Sequence, residues 1–147
     1  MFVGVYERQL DERGRVALPP TFRTELGEHC YLTFGDDGCV SIRSDQSFES
    51  EASELIEKVK RGEMSRDRQR AFASSATPAT VDRQGRITLD ATLRAQANIE
   101  PQAGVMVLGS LDQIEIWEPE AFQAHEQAGR SEIAGGDGSG AVDGGDT

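Results

Sequence analysis

One short stretch occurs twice in this chain, and that repeat constrains the fold more than any bulk property does. The first copy reads Leu10-Asp11-Glu12-Arg13-Gly14-Arg15-Val16-Ala17-Leu18, the second Val81-Asp82-Arg83-Gln84-Gly85-Arg86-Ile87-Thr88-Leu89. Asp82 follows Asp11 by 71 residues, and Phe22-Arg23 falls opposite Leu93-Arg94 at the same offset. Leu32-Thr33-Phe34-Gly35 then falls opposite Met106-Val107-Leu108-Gly109 at an offset of 74, as do Val40-Ser41-Ile42 and Ile114-Glu115-Ile116. A three-residue insertion before Val105 accounts for the slip. One structural unit is therefore built twice. Units of about 50 residues are near the lower limit for burying a self-sufficient core, so they are expected to pack on each other or on other subunits.

Local patterns predict the parts of each unit. Residues 2–10 and 15–18 read as strands joined by a tight turn at Asp11–Gly14, where Gly supplies a positive φ and Asp bonds backbone amides ahead of it. Pro19-Pro20 stop the second strand, and Thr21–Leu26 form a short helix ended by Gly27. Cys30–Phe34 and Cys39–Ile42 are strands of a hairpin turning at Gly35-Asp36-Asp37-Gly38. Ser44 is placed to cap a helix whose apolar face is Phe48, Ala52, Leu55, Ile56 and Val59, and a basic helix follows from about Ser65 to Phe72. In the second unit Asp82–Gly85 turn, Asp90 caps a helix over Ala91–Ala97, and Val105–Leu108 with Gln113–Trp117 form the hairpin. Pro119 opens a helix to about Ala128. From Gly135 the chain is mostly Gly, Asp and Ser, and we expect disorder there. The domain reading is a first unit over 1–50, linking helices over 51–77, a second unit over 78–130, and an acidic Gly-rich tail over 131–147.

Charge bears on partners. The chain has 147 residues and a net charge of −11, which taken globally argues against nucleic acid. Acid is spread over the body and the tail, however, while base clusters near the repeats and over 58–70, and counterion release depends on local contacts. The N-terminus lacks a basic segment followed by a long apolar one, and no apolar run reaches membrane length, so neither a signal peptide nor a membrane span is expected. Cys30 and Cys39 do not make a disulfide framework, and a reducing cytoplasm is the expected setting.

In Asp-x-x-Gly-Arg the turn projects from a two-stranded ribbon and carries Arg at its tip, where a planar guanidinium fork can bond a guanine edge or clamp a phosphate. Asp can hold the turn or pair with the Arg. Turn chemistry alone explains a repeated Asp and Gly but not a repeated Arg. Arg15 and Arg86 are thus candidates for reading bases, and Arg13 and Arg83 for contacting phosphate. Asp11, Gly14, Asp82 and Gly85 shape the turns, and Lys58, Lys60, Arg68 and Arg70 are weaker candidates. Arg23 and Arg94 read as solvated helix positions or ion pairs. No metal spacing links His29, Cys30, Cys39 and His125. No nucleophile motif or phosphate-cradling loop occurs, so no enzyme activity, cofactor or metal is expected.

The paired Asp-x-x-Gly-Arg turns and the opening Met1-Phe2-x-Gly4 resemble the MraZ family over roughly residues 1–130. The resemblance implies an α+β, mostly β fold. In it, two tandem swapped-hairpin units of the SpoVT/AbrB type pack as a pseudo-two-fold barrel with flanking helices. It also implies a DNA-binding transcriptional regulator, a repressor of the division and cell-wall gene cluster that includes its own gene. Such a protein binds short direct repeats of double-stranded DNA upstream of its operon. It forms ring-shaped homo-oligomers and is cytoplasmic and nucleoid-associated. The alternative is an interaction module of antitoxin type that binds a protein partner through the tail from Ser131.

Overall fold

A computed structural model describes residues 1–135. The strand β1 spans Phe2–Gln9, and after the first turn come β2 (Arg15–Ala17) and α1 (Pro20–Leu26). A hairpin follows, β3 (His29–Phe34) and β4 (Val40–Ser44), joined by a short 3-10 turn at Asp36–Gly38. The helices α2 (Asp45–Lys60) and α3 (Arg66–Ser75) lead to the second unit. That unit comprises β5 (Thr77–Thr80), β6 (Arg86–Thr88), α4 (Ala91–Gln96), β7 (Gly104–Leu111), β8 (Ile114–Trp117) and α5 (Pro119–Ile133).

The helix starts follow from their caps. Ser44 Oγ accepts from Ser47 N at 3.2 Å and Asp90 Oδ1 from Leu93 N at 2.9 Å, each satisfying a first-turn amide that no helical carbonyl can reach. Ser65 does the same for α3 and Glu118 for α5. The last helix runs past Ala128 to Ile133, so residues 131–133 of the expected tail are helical, and residues 136–147 lie outside those described.

Strand pairing departs from the simple reading of a turn between two paired strands. The strand β1 does not pair with β2 across Asp11–Gly14 but runs antiparallel to β7 of the other unit, from Phe2↔Leu111 to Gln9↔Gly104. Reciprocally, β5 pairs with β3 of the first unit. The two hairpins meet through β4 and β8, giving one antiparallel sheet of order β1-β7-β8-β4-β3-β5. The remaining short strands, β2 and β6, pair with each other as a separate two-stranded ribbon. The order reads alike from either edge when equivalent strands of the two units are interchanged. The expected barrel is not found. The sheet is open, with β1 and β5 as its edges, because three-residue β2 and β6 bond only to one another and do not bridge those edges.

The core lies between sheet and ribbon. Leu10, Val16, Leu18 and Phe22 from the first unit meet Ile87, Leu89, Leu93 and Val105 from the second, over Leu32, Ile42, Ile114 and Ile116 of the hairpins, in one buried cluster. Cys30 belongs to it as a small apolar side chain. On the opposite sheet face, α2 and α3 cover Tyr31, whose ring stacks on Phe48, and Phe48 stacks in turn on Phe72. A smaller cluster of Cys39, Trp117 and Phe122 forms beneath α5. One close approach explains a repeated glycine: a Cβ on Gly109 would come within 2.5 Å of Val3 N, so only Gly lets β1 lie against β7 there.

Because each unit lends its first strand to the other's hairpin, neither has its own partner for that strand. Residues 1–76 expressed alone are expected to be unfolded or self-associated. Sedimentation combined with amide dispersion in NMR checks this, and a folded monomeric half would contradict it.

Candidate nucleic-acid interface

The two turns are built bond for bond alike. Asp11 Oδ1 accepts from the backbone N–H groups of Arg13 and Arg15, both at 2.9 Å, and Gly14 N donates to Asp11 O at 3.0 Å. In the second turn Asp82 Oδ1 accepts from Gln84 N and Arg86 N at 2.9 Å, and Gly85 N donates to Asp82 O at 2.9 Å. Gly14 and Gly85 have φ of 77° and 81°, the left-handed region that favours glycine. The other carboxylate oxygen takes the arginine: Arg15 Nε bonds Asp11 Oδ2 at 2.7 Å and Arg86 Nε bonds Asp82 Oδ2 at 3.1 Å. Each Asp therefore does both jobs that its sequence position allows, shaping the loop and fixing the rotamer of the arginine after the glycine.

The turns are not independent fingertips. The register Arg15↔Thr88, Val16↔Ile87, Ala17↔Arg86 joins them through one ribbon, and two reciprocal bonds extend it, Leu18 N to Gly85 O and Leu89 N to Gly14 O, each 2.9 Å. Alternation on the ribbon sends Val16 and Ile87 into the core, so Arg15, Ala17, Arg86 and Thr88 lie on its outward face. Arg86 Nη1 also comes within 3.7 Å of Asp11 Oδ2, so the two Asp–Arg pairs adjoin. The side chains of Arg15 and Arg86 are 24% and 30% exposed. They are thus braced against the ribbon rather than extended into solvent. Arg13 and Arg83, in the loops themselves, are exposed and carry no ion pair among the described residues.

Arg23 and Arg94 belong to the site, contrary to the reading as solvated helix positions. Arg94 Nε donates to Leu89 O at 3.0 Å and lies 3.0 Å from where a Cβ on Gly14 would stand. The Arg23 guanidinium comes within 2.6 Å of the corresponding position on Gly85. Each unit's helix arginine therefore covers the other unit's turn glycine, so a side chain there, already strained by φ, would also displace the arginine. The signal was present in the sequence, since both arginines share the 71-residue offset. Arg8 Nε reaches Ala17 O at 3.2 Å, but its counterpart at that offset is Ala79, so no repeat marks it.

The weaker basic candidates sit elsewhere. Arg68 pairs with Asp36 at 2.7 Å, Arg70 with Asp67 at 2.8 Å and Lys60 with Glu57 at 3.7 Å. With Lys58, they ride on α2 and α3, which cover the sheet face opposite the ribbon. Over the two motifs, 10–18 and 81–89, together with Arg23 and Arg94, six arginines face the three carboxylates of Asp11, Glu12 and Asp82. A local charge of +3 thus sits on a chain of −11.

Burial pushes the Cys30 and Cys39 thiols up to about 12, which keeps them protonated near neutrality. His125 packs against the Trp117 ring at 5.0 Å. Among the described residues no group of three or more His, Cys, Asp or Glu is placed to hold a metal ion, and no helix is long and apolar enough to cross a membrane.

Comparison with known proteins converges on one family. The family model described as "MraZ protein, putative antitoxin-like" matches residues 1–71 and again residues 72–134. A transcriptional regulator MraZ of Kocuria rhizophila is 36% identical over 127 residues, covering 86% of this chain and 87% of the relative. One from Lachnoclostridium phytofermentans is 33% identical over 134 residues, covering 91% and 93%. A more distant one from Mycoplasmoides gallisepticum is 27% identical over 128 residues, covering 87% and 89%.

The turn carboxylates are shifted in a way that titration reads directly. The Arg15 backbone N–H, then the Arg15 guanidinium and the Arg13 N–H, outweigh partial desolvation and hold Asp11 at about 2 against an ordinary 3.8. Asp82 is lowered by the matching contacts from Arg86 and Gln84. A depressed carboxylate stabilises the folded turn above the unfolded value, and that stabilisation is lost as pH falls from 3.8 through about 2. Carboxyl titration by NMR is expected to give Asp11 a midpoint near 2, raised in Arg15→Gln. A midpoint of 3.8 in the unaltered protein would show that these bonds do not persist in solution.

Proposed function

The chain belongs to the MraZ family, and on that premise we propose that it is a DNA-binding transcriptional regulator whose double-helix contact is the shared β2–β6 ribbon with its two turns. The observation that carries this reading is the joining of both Asp-x-x-Gly-Arg turns into one outward-facing, locally basic surface. A two-stranded ribbon has the width to enter a major groove. Bracing Arg15 and Arg86 through Nε leaves both terminal nitrogens of Arg15 and Nη2 of Arg86 to meet guanine edges and lowers the ordering cost of doing so. Arg13 and Arg83, free in the loops, contact phosphate, and Arg23 and Arg94 hold the loops in shape.

The relatives named as transcriptional regulators support regulation of transcription as the role. The finer reading is repression of the division and cell-wall gene cluster, including this protein's own gene, through short direct repeats upstream of the operon, in the cytoplasm on the nucleoid. The units are read as swapped-hairpin domains of the SpoVT/AbrB type over 1–50 and 78–130, linked by helices over 51–77, without catalytic activity. Assembly into rings is part of the same reading. It is supported by the open edge strand β1, where Val3 and Val5 are 60% and 40% exposed, and by Leu111 at 56% on the adjoining strand. In the antitoxin-type reading the partner segment starts at Ser131, and residues 131–133 of it are the end of α5.

Footprinting on DNA upstream of the protein's own gene is the deciding experiment. Arg15→Ala or Arg86→Ala is expected to weaken specific binding by about 1–3 kcal/mol while leaving non-specific binding nearly unchanged. Arg13→Ala is expected to lower the slope of log K against log salt by about one. Equal losses on specific and random DNA for Arg15→Ala would remove the base-reading role. Light scattering at low protein concentration is expected to give a large oligomer, and a clean monomer would contradict the ring.

A further inference from the structure

Arg43 is a buried charge with no carboxylate against it. It stands on β4 across from Tyr31, on the sheet face that α2 and α3 cover, and is 9% exposed. Nη1 donates to Thr33 Oγ1 at 3.0 Å, and the guanidinium carbon lies 5.6 Å from the centroid of the Phe72 ring. No carboxylate lies within 4.0 Å of it among the described residues. A hydroxyl and a ring face offset part of the cost of burying a guanidinium, and its other nitrogens, which are not sealed from solvent, have no protein acceptor among the described residues.

Those donors belong to a side chain that lines a cavity of about 280 Å³ between α2, α3 and the first hairpin. Leu55 and Phe72 give it apolar walls, and Glu51 and Glu54 line its α2 side. Arg68 and Lys58 also line it, and Arg68 is paired with Asp36 at 2.7 Å. The volume falls just below the smallest drug-sized sites, which start at about 300 Å³. A purely structural Arg43, stacked on Phe72, would not require an open space beside it.

We propose that this cavity is a ligand site for a small monocarboxylate with an apolar body, a plain organic acid or an apolar amino acid. The carboxylate takes the Arg43 fork and the body packs on Leu55 and Phe72. Glu51 and Glu54 disfavour polyanions and accept an ammonium group where the ligand has one. Since Phe72 comes from α3, occupancy ties that helix to the sheet. The site lies on the sheet face opposite the ribbon and stands or falls independently of DNA binding.

Calorimetry and thermal melting of the full chain with phenylacetate, phenylalanine, 2-phenylethylamine and inorganic phosphate test it. At ten times Kd, phenylacetate or phenylalanine is expected to raise Tm by about 4 °C, while the amine and phosphate do nothing. Tighter binding of phenylalanine supports the amino-acid source, and tighter binding of phenylacetate the plain acid. Arg43→Lys is expected to weaken binding at least about tenfold, because a point charge cannot replace the fork. Ala71→Trp, at an exposed rim position where a large side chain leaves the fold intact, is expected to block the cavity. Absence of binding by both carboxylates, equal binding of phosphate, or binding retained in both variants overturns the proposal.

Discussion

The structure depends on the short ribbon in which the two copies of one motif hydrogen-bond to each other. Leu18 N to Gly85 O and Leu89 N to Gly14 O tie each unit's exit strand to the other unit's turn. The same ribbon buries Val16 and Ile87 as the lid of a core to which both units contribute. With β1 on β7 and β5 on β3, every strand of one motif region has its partner in the other unit. This is how two segments too small to bury a core alone reach a single shared one.

That arrangement also solves an electrostatic problem. An acidic chain must keep a cluster of arginines close together without leaving their mutual repulsion unopposed. Asp11 and Asp82 sit between the arginines, each holding one guanidinium by Nε, and Arg86 approaches both carboxylates. The bonds that lower the Asp11 carboxyl are those that set the arginine rotamer, so loop shape and charge placement have one cause. The helix arginines close the unit by lying over the glycines.

The two sheet faces differ in kind. Alternation along β3 and β4 sends Leu32 and Ile42 into the common core and Thr33, Ser41 and Arg43 to the face beneath the helices, where all three are buried. The first face is apolar and closed. The second mixes an aromatic stack with an arginine that lines a cavity, and the helices α2 and α3 form its roof.

The sequence alone determined what depends on neighbours within a few positions. Asp and Gly specified both turns, Ser44 and Asp90 specified helix starts, and Gly35–Gly38 specified a hairpin, because each rests on bonds between residues at most a turn apart. The repeat added the equivalence of Arg15 with Arg86, and the resemblance built on it named the family. Only the tertiary structure decided which strands pair. Period-two alternation in β1 suits any partner strand, and nothing local distinguishes β2 from β7 as its neighbour. The same limit hid the roles of Arg23, Arg94 and Arg43: an arginine's chemistry is legible from its type, but whether it covers a glycine or faces a cavity depends on chain segments tens of residues away.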